Sequence, residues 1–291
     1  MGVTSYLVRL ADRSKWQIIP APETEAMVAR AAEIMGLSQG KAAGARRLFV
    51  VGKREEEISS DTPVRRGESW HSKAFGYGTF LFSEKTGDVV FEIAPTDDHV
   101  KVIRQIATLI YPLINNSVSR GGLPVHAGIL ARDGKCVILP ASGNTGKSTC
   151  CRRIIPPWSS PGDDLGLIVA VDDQAYKLHP LPTWSDFLYY QSERRWEVQE
   201  SYKFSSIFFL EQGAIDQVLP IRQCDAAIKL FDAANETWLS YMKFDPGCQK
   251  ADRIQLFDNA CAIARRVPSH ILRASLTGQF WTEIEKAMNG I

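Results

Sequence analysis

The feature that most constrains this chain is the run Ala141-Ser142-Gly143-Asn144-Thr145-Gly146-Lys147-Ser148-Thr149, set between the apolar stretch 137–139 and the helix-compatible stretch 149–155. A strand, a loop ending in Gly-Lys-Ser and a helix, in that order, make a phosphate-binding loop, here with alanine at the first position, where glycine is commoner. The spacing has a physical reason. Small residues and the two glycines let backbone N–H groups turn inward around phosphate oxygens. Lys147 then stands to neutralise the β and γ phosphates, Ser148 to offer its hydroxyl to Mg²⁺, and the helix start to face the same anion with its positive end. Residues 142–149 are expected to bind a nucleoside triphosphate, ATP with Mg²⁺, and the flanking strand and helix separate this loop from a chance glycine turn.

The 291 residues allow one large core or two modest ones, and 45% hydrophobic residues, 23% charged residues and a net charge of +1 are ordinary for a globular protein. Nothing in that balance points to nucleic acid. The first residues lack the apolar core of a signal peptide, and no stretch of about 18 apolar residues occurs, so neither secretion nor a membrane span is expected. Six cysteines lie scattered without a Cys-x-x-Cys pair or zinc-site spacing, which fits a reduced, cytoplasmic protein. Cys150 and Cys151 adjoin the loop and read as small packing residues sooner than as redox groups.

Along the chain, residues 23–35 read as helix and 47–52 as strand, and 78–82 and 89–93 read as two strands joined by a polar turn. Between residues 99 and 116, Val100, Ile103, Ile106, Ile110 and Leu113 recur at three- or four-residue steps and predict one helix with a core-facing stripe. Strands are expected at 123–131 and 135–140, joined by the tight reversal Asp133-Gly134, and again at 166–171, 175–178 and 206–210. From Cys224 onward the spacing is helical, with Pro246-Gly247 and Pro268 as breaks.

Asp163 and Asp164 follow Lys147 by only sixteen and seventeen residues, room for one short helix and a turn before acids return to the phosphate site. His126 and Gly128 on an apolar strand, a hairpin leading into the loop, and this Asp-Asp pair resemble the catalytic domain of HPr serine kinase/phosphorylase. The segments His179-Pro180-Leu181-Pro182-Thr183-Trp184-Ser185 and Phe208-Phe209-Leu210-Glu211-Gln212, and the ending at 276–281, are similar to HPr-kinase-related proteins of peptide-maturation cassettes of the SynChlorMet type. The resemblance runs from about residue 123 to the C terminus. The glycine-rich signature that follows the acids in HPr kinases is missing, and Ser159-Ser160-Pro161-Gly162 stands where an apolar strand is expected.

The resemblance implies an α/β, phosphoenolpyruvate-carboxykinase-like P-loop core over 123–219 within a nucleotide-binding and catalytic region at 121–291. An α+β portion at 1–120 precedes it and a helical portion closes the chain. It implies an ATP-dependent kinase acting on a Ser/Thr hydroxyl of a peptide or small protein, with a ribosomally made natural-product precursor among the candidates and a homo-oligomer open. Asp163 would be the base, Asp164 would hold Mg²⁺ with Ser148, and His126 would line the site and tune Asp163. A non-catalytic, nucleotide-dependent recognition protein and a small-molecule kinase are the alternatives, since loop chemistry does not encode what attacks the γ phosphate.

Plainer readings stand beside several of these. Asp163-Asp164 after Pro161-Gly162 could be a turn, and His126 a half-buried strand histidine. Asp172-Asp173 reads as a hairpin turn. Arg152 or Arg153, and Arg194 or Arg195, could meet phosphate or an acidic substrate but are more often solvated, Glu211 is an exposed strand end, and Trp184 a core anchor sooner than a peptide dock.

Overall fold

The computed structural model of the protein describes residues 4–53, 70–172, 174–242 and 249–290. Two compact units emerge. The first comprises Met1–Asn115, Trp184–Gln199 and Tyr241–Gln249, the second Asn116–Thr183, Glu200–Ser240 and Lys250–Ile291.

In the first unit, β1 (Tyr6–Arg9) and β2 (Lys15–Pro20) pair antiparallel, and β2 alternates in period two, with Trp16, Ile18 and Pro20 inward. Helix α1 (Glu25–Ile34) buries Met27, Val28, Ala31 and Ala32 at helical spacing. After the two-residue β3 (Ser38–Gln39) come β4 (Arg46–Gly52), β5 (Trp70–Phe75), β6 (Gly78–Ser83) and β7 (Val89–Ile93). Among the described residues the sheet order is β3-β1-β2-β4-β7-β6-β5, and β6 and β7 form the expected hairpin. The helix expected over 99–116 is two: α2 (His99–Leu109) and α3 (Tyr111–Val118). Pro112 explains the break, because it has no N–H to bond the carbonyl four residues back and its ring crowds that carbonyl, so it is tolerated only in a first turn. Val100, placed on the core stripe from its spacing, is 45% exposed, whereas Ile103, Ile106, Ile110 and Leu113 are buried.

The second unit opens with β8 (Leu123–Arg132) and β9 (Lys135–Pro140), antiparallel across a turn in which Asp133 (φ 52°) and Gly134 (φ 72°) both take left-handed conformations. Then follow α4 (Lys147–Arg153), β10 (Ser159–Gly162), β11 (Leu165–Ala170) and β12 (Tyr176–Leu181). At α5 (Trp184–Tyr189) the chain returns to the first unit, where His99 Nε2 lies 2.9 Å from the Phe187 carbonyl and Trp196 N–H donates to Ile34 O at 2.8 Å. A division at residue 120 does not anticipate that return. Back in the second unit come β13 (Tyr202–Gln212), β14 (Gln217–Pro220), α6 (Gln223–Met242), α7 (Gln249–Arg266), β15 (Ser269–Ala274) and α8 (Phe280–Asn289). Pro246 and Gly247 lie outside the described residues.

The second sheet runs β10-β8-β11-β12-β13-β15-β14, with β9 between β8 and β13. Strand β13 runs parallel to both β9 and β15. The C-terminal portion is therefore not purely helical, since β15 completes the sheet through Phe208↔His270 and Leu210↔Leu272 pairings. Leu130, Leu139, Cys150, Cys151, Phe208, Leu272, Phe280 and Ile284 form one apolar cluster joining sheet strands to α4 and α8. Both units are mixed α/β, and among the described residues no helix is long and apolar enough to cross a membrane.

Candidate functional site

Strand β8 organises the site. Its Ala127 pairs with Pro140, the last residue of β9, on one edge, and on the other its N–H donates to the Asp164 carbonyl at 3.0 Å. The loop that begins at Ala141 and the two aspartates thus leave opposite sides of one β8 position. Strands β10 and β11 line the same edge of β8 in turn, with Ser159↔Ala131 and Gly162↔Ile129 before the two aspartates and Leu165↔His126 after them. Asp163 and Asp164 join these two strands without a change of register, the Ala127–Asp164 bond continuing the ladder, and the register shift lies earlier, between Ser159 and Gly162.

Ser159–Gly162, expected to lack a strand, is a strand. Its residues have poor β propensity, but β10 is an edge strand, where the N–H that Pro161 lacks removes no bond that a central strand would need. Asp163-Asp164 link β10 to β11 along one edge of β8 and do not reverse the chain, as the turn reading would require.

Gly146 caps α4 with φ 109° and Asn144 has φ 61°, so the loop uses left-handed positions before the helix. A Cβ at Gly143 or Gly146 would meet nothing within 4 Å, which leaves the backbone open to an approaching group. Lys147 is 7% exposed and its ammonium donates to Ala141 O at 2.7 Å and Ser142 O at 3.1 Å. Burial lowers its pKa, and Glu236 and Asp164 oppose that. Thr145 Oγ1 donates to Ser142 O at 2.9 Å, and Gln212 reaches the Asn144 and Thr145 carbonyls at 3.4 and 3.5 Å. On the helix side, Gly128 lets α4 close on β8, for a Cβ there would stand 2.8 Å from Cys151 Sγ.

His126, Gly143, Asn144, Gly146, Lys147, Ser148, Thr149, Asp163 and Asp164 line one cleft of about 380 Å³. His126 Nε2 lies 3.1 Å from Asp164 Oδ1 and its Nδ1 3.2 Å from Glu236 Oε2. Its pKa is raised, first by the hydrogen bond to Asp164, against burial and the nearby Lys147 charge, with Glu236 adding to the rise. His126 thus contacts Asp164, not Asp163 as expected. Asp163 instead accepts a hydrogen bond from Thr183 Oγ1 at 3.0 Å. Among the described residues no group of three or more His, Cys, Asp or Glu is arranged to hold a metal ion.

Glu236 escaped the sequence reading because a glutamate on a long helix carries no motif. Thr183 sits inside the His-Pro-Leu-Pro-Thr-Trp segment, whose extended character holds through β12, and Gln212 ends Phe-Phe-Leu-Glu-Gln, so both had a signal without a role.

Other candidates have partners elsewhere. Arg153 donates to Ser275 O at 2.6 Å and to Gly278 O, and lies 5.6 Å from the Phe280 ring centroid, while Arg152 is exposed. In the first unit Arg194 stacks on Trp196 and Arg195 pairs with Glu197. Glu211 pairs with Arg273 at 3.4 Å. Asp172 Oδ1 accepts from Gln174 and Ala175 N–H, as a hairpin turn requires, and Asp173 lies outside the described residues. Trp184 is half-buried, 6.2 Å from Phe187 between ring centroids. Cys150 and Cys151 are buried, their thiols pushed up to about 11 chiefly by burial.

Fold and site define a mixed α/β protein in which a strand–loop–helix unit faces a histidine and two aspartates across one strand. Residues 89–289 match the family described as SynChlorMet cassette protein ScmC, and the chain belongs to that family. No curated protein matches the chain.

Proposed function

We propose that the protein is an ATP-dependent kinase with an HPr-kinase-like, phosphoenolpyruvate-carboxykinase-like core, phosphorylating a serine or threonine hydroxyl on a peptide or small protein. Membership of a cassette-protein family makes a ribosomally made precursor the first substrate to test. One observation carries the reading: Lys147, Ser148, Asp163, Asp164 and His126, from three separate stretches of chain, line a single cleft at the loop. Residues 142–149 would hold the triphosphate, and Ser148 with Asp164 the Mg²⁺, which phosphoryl-transfer sites bind through one or two carboxylates and the phosphates themselves. The open space beside Gly143 and Gly146 and the Lys147 ammonium fit an anion there.

ATP bound in this way supplies the transferable phosphoryl group, and the chain supplies position and a proton acceptor. Thr183 orients Asp163 by occupying Oδ1, which leaves Oδ2 to take the proton of an acceptor hydroxyl. His126 holds the Asp164 carboxylate, which lines the same cleft as Ser148.

The test is intact mass of precursor peptides after incubation with the protein, ATP and Mg²⁺. A gain of one phosphate is expected, lost in both Asp163→Asn and Lys147→Ala, with ATP binding kept in the first and weakened in the second. Turnover that persists in Asp163→Asn would remove Asp163 as the base, and unchanged ATP affinity in Lys147→Ala would remove the phosphate-loop reading. A nucleotide-dependent recognition protein without turnover is the second reading, favoured by the fact that Asp163 and Asp164 both have partners within the chain. ATP binding with no phosphate gained on any precursor would select it.

A further inference from the structure

Nothing in the proposed chemistry uses the segment 275–279, yet the chain takes care over it. Asp216 Oδ1 accepts from Ser275 N–H at 2.6 Å, Ser275 Oγ accepts from Gly278 N–H at 2.9 Å, and Arg153 holds the carbonyls of both Ser275 and Gly278. Gly278 is required by this closeness, since a Cβ there would stand 1.9 Å from Asp216 Oδ2. Leu276, inside the turn, is 82% exposed. An exposed leucine alone is ordinary, but the hydrogen bonds of this turn fix the backbone from which Leu276 projects.

Leu276 lines a cleft of about 510 Å³ with Ala214, Ala274, Gln212, Arg153 and Thr149. Asn144, Gly146 and Thr149 line both this cleft and the one holding Lys147 and the aspartates, so both border the same loop. The carboxyl ends of the three parallel strands meet here: β9 leads into the loop, β13 ends at Gln212 and β15 at Ala274. Ligands of open α/β sheets lie outside such strand ends. The alanines keep the walls low, as a flat ring between them and Leu276 would need.

We propose that this second cleft takes the base and ribose of the nucleotide whose phosphates the loop holds, with Leu276 packed against a face of the base and the Arg153–Asp216 turn fixing its position. This rests on the nucleotide-binding reading and assigns the end of the ligand that the loop motif leaves open.

Titration calorimetry of the full chain with Mg²⁺-ATP and with Mg²⁺-tripolyphosphate separates the two claims. Leu276→Ser is expected to weaken ATP about tenfold, the loss of one apolar contact face, and to leave tripolyphosphate unchanged. Ala214→Phe, at an exposed position, should obstruct the base with the same selectivity. ATP binding that neither variant alters, or equal weakening of both ligands, would overturn the subsite alone. Failure of the wild-type chain to bind either ligand would overturn the nucleotide reading and the subsite with it.

Discussion

Gly128→Ala tests the contact that sets α4, and with it Lys147 and Ser148, against β8. The new methyl would lie 2.8 Å from Cys151 Sγ and 3.7 Å from both Leu139 Cβ and Lys147 O. Only the sulfur is too close, and it sits in a packed cluster at 6% exposure, so either the thiol rotates into its neighbours or α4 lifts. Overpacking of this kind costs about 1–3 kcal/mol. Replacing glycine by alanine returns about 0.4–1 kcal/mol through the unfolded chain, so the net loss is expected to centre on about 1 kcal/mol and to reach about 2.6 kcal/mol at most, a fall of roughly 2–4 °C in melting temperature at the centre for a unit of this size. Thermal and urea unfolding of Gly128→Ala, Cys151→Ala and the double variant form a cycle. The double variant is expected to recover most of the loss charged to Gly128→Ala, because the clashing atom is gone. Wild-type stability in Gly128→Ala, or strictly additive single effects, would refute this account of how the helix is seated.

Glu236→Gln removes one of two carboxylates facing His126, so the His126 ring titration followed by NMR should move down; the Glu236 side chain is 56% exposed, which keeps the shift modest, and an unmoved titration would sever the pair. Because the folded pKa of His126 is raised above its ordinary 6.5, the stability it contributes is fully present below that value and is lost as pH rises through the folded pKa. The melting-temperature gap between wild type and His126→Gln should therefore be widest in mildly acidic buffer and shrink as pH rises, and a gap that widens with pH would reverse the sign. Thiol alkylation of the native protein at pH 8 should reach exposed Cys224 while Cys150 and Cys151 stay protected, with mass mapping of the labelled peptides as the readout; fast labelling of Cys151 would contradict its burial.

Much of the site could be read along the chain, because its parts are local. The loop, the Asp133-Gly134 reversal before it and the apolar β13 each depend on residues a few positions apart, where glycine freedom, turn geometry and periodicity act directly. The strand at Ser159–Gly162 could not be read, since nothing in Ser-Ser-Pro-Gly prefers an extended edge; the β8 backbone beside it makes the strand. Likewise His126 was visible as a site residue, but its contact with Asp164 in place of Asp163 follows from how β11 registers on β8.

Taken alone, the sequence determined that the chain carries a phosphate-loop motif between a strand and a helix and that acids return soon after it. Tertiary structure decided which groups meet there. Glu236 arrives from α6, Gln212 from the end of β13, and Arg153 turns from the loop to clamp Ser275 and Gly278. Each of these depends on strand pairing and helix packing between distant segments, whose partners no local pattern names.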